Sequence, residues 1–360
     1  MRKSKLILLS AVPMAALSCG YEMDLQDFYS VPLEKTDSKV MERKIELPSS
    51  EPSNFDTADC LIYDTLAFSF GHRQDYIVSV SNVTTGELIG KFCKRGRAWE
   101  EPMNGLPLQE LYVEDGDLKA DIISYSDSKL FVWNISESLR DGKDVYDSIV
   151  KLDTGVGKSF SIISYRRLDS SRLICYNSKQ TKGHSEEDLP EFTIYDTKSG
   201  LKINEYVIFA KPDIQIKEGH SYRDYCSNRF TVKPDKTKAF IAMSSLPVCS
   251  IMDLVQDTVA AWEFTDMKRF SLDDRRWYFA DVQSDDNYIY VLFSGEILYN
   301  DEGTDVPETL LVFDWDGELK LKCRLSERFT EINLDGDFVY FTHYEGYMSK
   351  VKLNDITDMI

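Results

Sequence analysis

The sequence predicts an all-β protein, and three observations carry that prediction. Aromatic residues, which favour strands, are abundant: the 360 residues include 20 Tyr, 19 Phe and 5 Trp. One hairpin pattern recurs, with an apolar strand, a turn of Asp, Asn, Thr or Gly, and an amphipathic strand; it starts at Tyr76, Phe192, Cys249 and Leu310. The strand-like segments also group in fours, in units of about 35–50 residues that are typical of repeat architectures. Together these features predict a closed ring, a six-bladed β-propeller of four-stranded antiparallel blades.

The six repeat units follow one another along the chain. They cover residues 58–92, 108–152, 161–209, 229–264, 277–325 and 329–353. The last unit contains three strand-like segments, whereas Val40–Leu47 is a spare strand near the other end of the chain. We therefore predict that Val40–Leu47 completes the last blade and closes the ring, which removes an exposed sheet edge. A seven-bladed ring and two stacked β-sandwiches are the alternatives.

The first 18 residues have the pattern of a secretory leader. Three basic residues precede an apolar run, Leu6–Leu17, which is too short to span a membrane as a helix. The run ends in the sequence ALSCG, which resembles a bacterial lipobox, and the cysteine that would carry the lipid is Cys19. We predict a lipoprotein signal peptide in residues 1–18, a lipid-anchored tether in residues 19–39 and a propeller domain in residues 40–360. A plain signal peptide with an incidental cysteine is the alternative.

Two segments and the leader make the chain similar to a known family. The turn VFDWDG at Val312–Gly317, the strand YIYVLFSG at Tyr288–Gly295 and the leader resemble the TolB-like six-bladed propeller lipoproteins of Bacteroidota, the BF3164-like family. The resemblance covers most of residues 40–353. It implies a propeller fold and a location in the cell envelope, where we expect the lipid to hold the protein at the outer membrane, and it implies no established reaction. One departure is the family's G-x-G-P-type turn after the first blade, which here becomes Cys93–Pro102 with Ala98 in place of the second glycine.

The charge balance argues against nucleic acid as a partner. The formal net charge is −19, and removal of the three basic residues of the leader leaves 39 basic and 61 acidic residues, or −22. Nucleic-acid phosphates are neutralised by Lys and Arg, so an acidic chain is a poor match for them. We interpret the acidity as a source of solubility and self-repulsion, and we expect a monomer. An acidic surface that binds cations is the alternative.

Loops on one face of the predicted ring gather the candidate binding residues. Because the strands of a blade alternate in direction, the loops from second to third strand and from one blade to the next emerge on the same face. Three long inserts, 177–191, 211–227 and 294–308, fall in these loop classes, and loops carry function more often than the scaffold does. Loops on this predicted face hold the candidate residues His72, Arg73, Arg95, Arg97, Trp99, Tyr222, Arg223, Arg276, Trp277, His343 and Tyr344. Arginine forks suit carboxylates and phosphates, and aromatic faces suit sugars or peptides. For single residues, structural ion pairs and packing over the blade ends are the alternatives.

The sequence contains no motif for a metal, a cofactor or a catalytic nucleophile. None of the four His has a metal-binding spacing, and neither G-x-S-x-G nor G-x-G-x-x-G occurs. We therefore predict no cofactor, no metal and no catalytic residue. Acidic segments such as 285–287 and 301–305 offer oxygen ligands for calcium, but their residues are ordinary turn formers. Six cysteines besides Cys19 are scattered through strands, where we expect mostly buried small hydrophobic residues, with Cys226–Cys249 the one pair to test as a disulfide.

These observations favour a non-enzymatic binding module, a lipid-anchored propeller that presents a loop-rich face to a peptide, a glycan or a partner protein of the envelope. The alternative is a propeller-type hydrolase or lyase with a metal in the central channel or a His/Tyr/Arg site, for which Tyr222, Arg223, His343 and Tyr344 are the candidates. A third hypothesis is a structural part of an envelope assembly, which a large exposed apolar patch would favour. The fold does not choose among these classes, since one architecture hosts many functions.

Overall fold

The predicted all-β six-bladed propeller is confirmed. The computed structural model describes residues 24–37, 39–47, 59–71, 74–154, 160–179, 191–211, 225–265, 267, 276–297, 309–343 and 346–360. These residues form six sheets arranged as blades, and within each blade antiparallel strands follow one another in chain order. In this part of the chain, no helix is both long enough and apolar enough to cross a membrane.

The elements are as follows in chain order. A 3₁₀ helix at Leu25–Phe28 precedes β1 (Leu33–Thr36) and β2 (Glu42–Ile45). Blade one is β3 (Cys60–Tyr63), β4 (Leu66–Phe70), β5 (Tyr76–Asn82) and β6 (Leu88–Lys94). Blade two is β7 (Tyr112–Glu114), β8 (Asp117–Ser124), β9 (Lys129–Asn134), helix α1 (Ile135–Asp141) and β10 (Tyr146–Lys151). Blade three is β11 (Phe160–Arg167), β12 (Arg172–Lys179), β13 (Phe192–Asp196) and β14 (Lys202–Tyr206). Blade four is β15 (Asn228–Val232), β16 (Lys238–Met243), β17 (Val248–Asp253) and β18 (Thr258–Phe264). Blade five is β19 (Arg276–Ser284), β20 (Tyr288–Ile297), β21 (Thr309–Asp314) and β22 (Leu319–Leu325). Blade six is β23 (Phe329–Asp335), β24 (Phe338–His343) and β25 (Met348–Lys352), followed by helix α2 (Leu353–Thr357).

The hairpin of blade five shows how local sequence fixes a blade. After β21, the Asp314 carboxylate accepts the backbone N–H of Asp316 at 3.0 Å, and the Gly317 N–H donates to the Asp314 carbonyl at 3.1 Å. Gly317 has φ +87°, and a Cβ there would come within 2.7 Å of the Trp262 ring of blade four. The glycine is therefore required both by the left-handed backbone and by the close approach of the neighbouring blade.

The N-terminal segment does not complete the last blade, so the predicted closure is wrong. Strand β2 pairs in parallel with β22, the outer strand of blade five, and blade six has three strands among the described residues. The burial of Ile45 and Leu47 explains this position, because both side chains join the core between blades five and six. Blade six instead meets blade one directly: Asp59 N–H donates to Glu331 Oε1 at 3.0 Å, and Asp64 N–H donates to an Asp335 oxygen at 3.0 Å.

Part of the predicted tether belongs to the propeller. Within residues 24–36, the side chains of Phe28 and Tyr29 are buried, and β1 pairs in parallel with β18 of blade four. The Ser30 N–H donates to the Ile208 carbonyl at 2.9 Å, which ties this segment to blade three as well. Apolar side chains thus dock the segment, although its polar composition had suggested a free linker.

A buried ion pair links blades two and three. Arg167 Nε lies 2.8 Å from Asp121 Oδ2, and both side chains are almost completely excluded from solvent. The Tyr112 ring lies 4.6 Å from the guanidinium, and its hydroxyl donates to the same carboxylate at 3.2 Å. Buried charges need this full set of partners, so the cluster fixes how the two blades meet.

The expected role of the cysteines is confirmed for the described ones. Cys60, Cys93, Cys175, Cys226, Cys249 and Cys323 are all buried, and these six form no disulfide with one another. Cys226 and Cys249, the pair singled out for a disulfide, are therefore not bonded to each other and act as small core residues.

Candidate functional site

The strand order defines an upper face of the ring, on which the second and fourth strands of each blade end. Arg95 follows the end of β6, Arg276 and Trp277 begin β19, and His343 ends β24, so these four predicted residues are at the upper face. Five of the predicted residues, His72, Arg73, Tyr222, Arg223 and Tyr344, lie outside the described residues, as does Cys19.

Several of the described candidates have structural partners within their own blade. Arg95 donates to the Gly71 carbonyl at 2.7 Å and lies over the Phe70 ring, and Arg276 donates to the Gly295 carbonyl at 3.2 Å. The His343 ring stacks on Tyr347, with 5.7 Å between the ring centroids.

Trp99 and Arg97 are exposed near the outer part of blades one and two. The Trp99 ring is 56% exposed, and Lys129 Nζ lies 4.4 Å from its centroid. Arg97 is exposed two residues earlier. The structure therefore does not gather the six described candidates into one pocket, and Trp277 is the member that lines the central cavity.

A cavity lies at the centre of the ring, between the first strands of the blades. It has a volume of about 250 Å³ and is lined by all six blades. Each blade contributes a polar side chain from its first strand or from the residues just before it. In ring order from blade one to blade six these are Asp59, Gln109, Arg166, Arg229, Asp281 and Glu331. Charged groups from five repeats and the neutral Gln109 from blade two thus face one small space.

The basic side of the cavity comes from blades three and four. Arg166 Nη1 donates to Gln109 Oε1 and to the Tyr165 carbonyl, both at 2.9 Å, and its guanidinium lies 5.4 Å from the Phe230 ring centroid. Burial lowers the pKa of Arg166, and the nearby Glu110 and Asp281 carboxyls oppose that shift.

Arg229 is held differently and faces the solvent of the cavity. Its Nε donates to the Ala280 carbonyl of blade five at 2.9 Å, and the side chain is exposed. A guanidinium fixed at one nitrogen and open to solvent is suited to binding an anionic group.

The acidic side of the cavity comes from blades five, six and one. Asp281 Oδ2 accepts the Ile332 N–H at 2.8 Å, and Glu331 Oε1 accepts the Asp59 N–H at 3.0 Å. Burial, reinforced by the charge of Asp281, raises the pKa of Glu331 to about 8. Burial also raises the pKa of Asp281, against the effect of the Ile332 N–H and of Arg229. Glu331 is therefore mainly protonated at neutral pH in the empty cavity.

The described residues of the cavity provide charged and polar groups that can bind a ligand. Among the described residues, no group of three or more His, Cys, Asp or Glu side chains is placed to hold a metal ion. His343, one of the residues suggested for an enzyme, packs against Phe329 and Tyr347 and does not line the cavity. What the cavity offers is two arginines and three carboxyl groups around a small space.

Sequence reasoning missed the four charged residues that face each other here, namely Arg166, Arg229, Asp281 and Glu331. A signal was present, because each is a charged residue inside an otherwise apolar or aromatic first strand, as in FSIISYRR, NRFTV, RWYFADVQS and FTEINLD. A charged side chain in the first strand of a blade faces the ring centre or an adjacent blade, where it is shielded from bulk water. Burying a charge there is costly unless the charge has a partner or a function.

No family model and no curated protein matches this sequence. Among solved structures, the chain is similar to a member of the DUF4221 family from Bacteroides vulgatus, with a TM-score of 0.57 and 9% identity over 91% of this chain and 98% of that one. It is also similar to a candidate exported protein from Bacteroides fragilis (TM-score 0.47, 11% identity, 94% and 92% covered) and to a calcium-binding protein, regucalcin, from Agrobacterium tumefaciens (TM-score 0.48, 14% identity, 86% and 95% covered). At these identities the likeness concerns the fold alone. The propeller fold implied by the family resemblance is thus confirmed, and membership of the TolB-like family stays a prediction.

Proposed function

We propose that the protein is a non-enzymatic binding module of the cell envelope, and that its central cavity holds a small polar ligand or the end of a peptide or glycan. The observation that carries this proposal is the convergence of Arg166, Arg229, Asp281 and Glu331, one from each of four blades, on a cavity of about 250 Å³. Charged side chains at the centre of a fold are costly unless they have partners, so their joint placement supports a binding role.

The site is organised before any ligand arrives. Backbone groups of the adjacent blades hold Arg229, Asp281 and Glu331 at 2.8–3.0 Å, through Ala280, Ile332 and Asp59 respectively. Side chains that are already ordered lose little entropy on binding, which favours affinity for a small ligand. Trp277 adds an aromatic surface to the same cavity.

The leader supports a location in the cell envelope. The basic start, the apolar run and the ALSCG sequence support export and lipidation at Cys19, with the lipid in the outer membrane. A propeller whose strands β1 and β2 dock on blades four and five would then sit close to its anchor. Its strongly acidic composition suits a soluble domain beside the membrane surface.

A thermal-shift screen of the purified protein tests the proposal. The panel contains free amino acids, dipeptides, monosaccharides and divalent metal salts, and a ligand that binds the native state raises the melting temperature. We expect at least one organic member to stabilise the wild type and to lose that effect in Arg229→Gln. Arg172→Gln is the matched control, because Arg172 is an exposed arginine paired with Asp169 away from the cavity. Stabilisation that is the same in wild type and Arg229→Gln would contradict the cavity as the site.

A further inference from the structure

We infer that the ligand of the central cavity is a small zwitterion of the size of a free amino acid or dipeptide, bound with its carboxylate towards Arg166 and Arg229 and its ammonium towards Asp281 and Glu331. This inference rests on the proposed function and names the chemical class of its ligand.

The first step is the division of charge around the ring. The two arginines come from the adjacent blades three and four, whereas the three acids, Asp59, Asp281 and Glu331, come from blades one, five and six, which are also adjacent in the ring. Blade two contributes the neutral Gln109. The cavity lining therefore has a basic half and an acidic half, and Glu110 beside Arg166 and Asp281 beside both arginines offset part of the positive charge.

The basic half is suited to a carboxylate. Guanidinium groups present parallel N–H donors that match the two oxygens of a carboxylate, and such bonds are stronger than neutral ones. Arg229 offers an exposed guanidinium whose Nε is anchored on the Ala280 carbonyl. Arg166 is fixed behind it by Gln109 and the Tyr165 carbonyl, and adds a second positive charge on the same side.

The acidic half is suited to an ammonium group. Glu331 is faced by Asp281 from β19 and by Asp59 from the start of blade one, while Asp281 is also faced by Arg166 and Arg229 from β11 and β15. A proton on Glu331 reduces the repulsion among these acids at neutral pH, because the pKa of Glu331 is raised to about 8. An ammonium group placed beside Asp281 and Glu331 would take over that role, so binding at neutral pH should release a proton.

Size and charge together favour a zwitterion over the other simple ligand classes. The volume of about 250 Å³ is below the roughly 300–1,000 Å³ of pockets for drug-sized ligands. A dicarboxylate would bring one carboxylate against Asp281 and Glu331, and a diamine would bring one ammonium against Arg229. A neutral sugar would fit but would not use the separation of charge. A zwitterion places an opposite charge against each half.

Isothermal titration of the purified protein tests the inference. The titrants are the twenty free amino acids and Ala-Ala, then the N-acetylated and C-amidated forms of each binder, and glucose as a neutral control. We expect a free zwitterion to bind, and each blocked form to bind at least about tenfold more weakly because one half of the cavity loses its partner. Titration at pH 7 in two buffers of different ionisation enthalpy should show proton release in the wild type and none in Glu331→Gln.

The variants separate failure of the inference from failure of the proposed function. Arg229→Gln should weaken binding of the zwitterion, and Arg172→Gln should leave it unchanged. Binding of glucose that is lost in Arg229→Gln would leave the cavity as a binding site and overturn the zwitterion. Blocked forms that bind as well as the free zwitterion, or the absence of binding by every amino acid and by Ala-Ala, would also overturn it. Ligand binding that neither Arg229→Gln nor Glu331→Gln affects would refute the cavity site and with it both proposals.

Discussion

Replacement of Glu331 by glutamine should make the protein more stable at alkaline pH and leave it nearly unchanged near pH 5. Burial raises the pKa of Glu331 to about 8 in the folded protein, from an ordinary value of 4.5. Between these two values the folded state holds a proton that the unfolded state has lost. The protonated carboxyl therefore contributes stability that is fully present below pH 4.5 and is lost as the pH rises through about 8.

The structure limits the size of the effect. The rise in the pKa of Glu331 from 4.5 to about 8 corresponds to a loss of at most about 5 kcal/mol in the free energy of unfolding, at 1.36 kcal/mol for each pKa unit. Because even buried protein sites behave as if their effective dielectric constant were about 20, we expect about 2 kcal/mol of this maximum to be realised. Glutamine keeps an oxygen that can accept the Asp59 N–H and has no proton to lose.

Urea unfolding at pH 5 and pH 8.5 measures the difference. We expect Glu331→Gln to exceed the wild type by about 2 kcal/mol in the free energy of unfolding at pH 8.5, and to lie within about 0.5 kcal/mol of it at pH 5. The control is Glu87→Gln, which changes an exposed carboxyl in blade one. Its free energy of unfolding should equal that of the wild type at both pH values. If Glu331→Gln is less stable than the wild type at pH 8.5, or if it keeps the wild-type fall in stability between the two values, the Glu331 carboxyl does not titrate as argued.

Three further predictions concern the scaffold. Phe28→Ala should lower the free energy of unfolding by about 3–5 kcal/mol, because its fully buried ring packs edge-on against Tyr225 and docks the N-terminal segment. Asp121→Ala should cost about 3–5 kcal/mol, because it leaves the Arg167 guanidinium buried without its carboxylate; urea unfolding measures both changes. The six described cysteines should react slowly with a thiol reagent in the native protein and quickly in denaturant, because all six are buried.

Matched controls make these outcomes specific. Val255→Ala truncates a side chain that is 74% exposed, and it should change the free energy of unfolding by less than about 0.5 kcal/mol. If Phe28→Ala has an equally small effect, residues 24–36 do not dock on the propeller. Asp169→Asn breaks an exposed pair with Arg172 and should cost at most about 1 kcal/mol. A mass that increases when the unfolded protein is reduced would contradict the free thiols.

The fold was predictable because its signal is local and repeated. Each hairpin carries its own turn residues, such as Asp314 and Gly317, and alternating apolar side chains place each strand in a sheet. The partner of the N-terminal strand was not predictable in the same way. The pattern of Val40–Leu47 is compatible with the outer edge of any blade, and what selects blade five is the docking of Phe28 and Tyr29 upstream together with the burial of Ile45. Those are contacts between distant parts of the chain.

The candidate site was not predictable from spacing for a related reason. Arg166, Arg229, Asp281 and Glu331 belong to four different repeats, and each repeat alone supplies only one of them. Motifs that can be read from sequence place their groups within one turn or one loop, whereas a propeller assembles its centre from one residue in each blade. Of the loop residues chosen instead, Arg95 and Arg276 bond to carbonyl groups of their own blade.

The contacts that orient the acids of the cavity are also the contacts that close the ring. The Asp59 N–H fixes Glu331 and joins blade one to blade six, and the Ile332 N–H fixes Asp281 and joins blade six to blade five. Among the described residues blade six is a sheet of three strands, and these bonds across the centre attach it to both of its neighbours. Loss of the site and loosening of blade six should therefore occur together. Ligand binding at the acidic half should in turn increase protection of the backbone amides of β23 and β3 against hydrogen exchange, with blades two and three changing less.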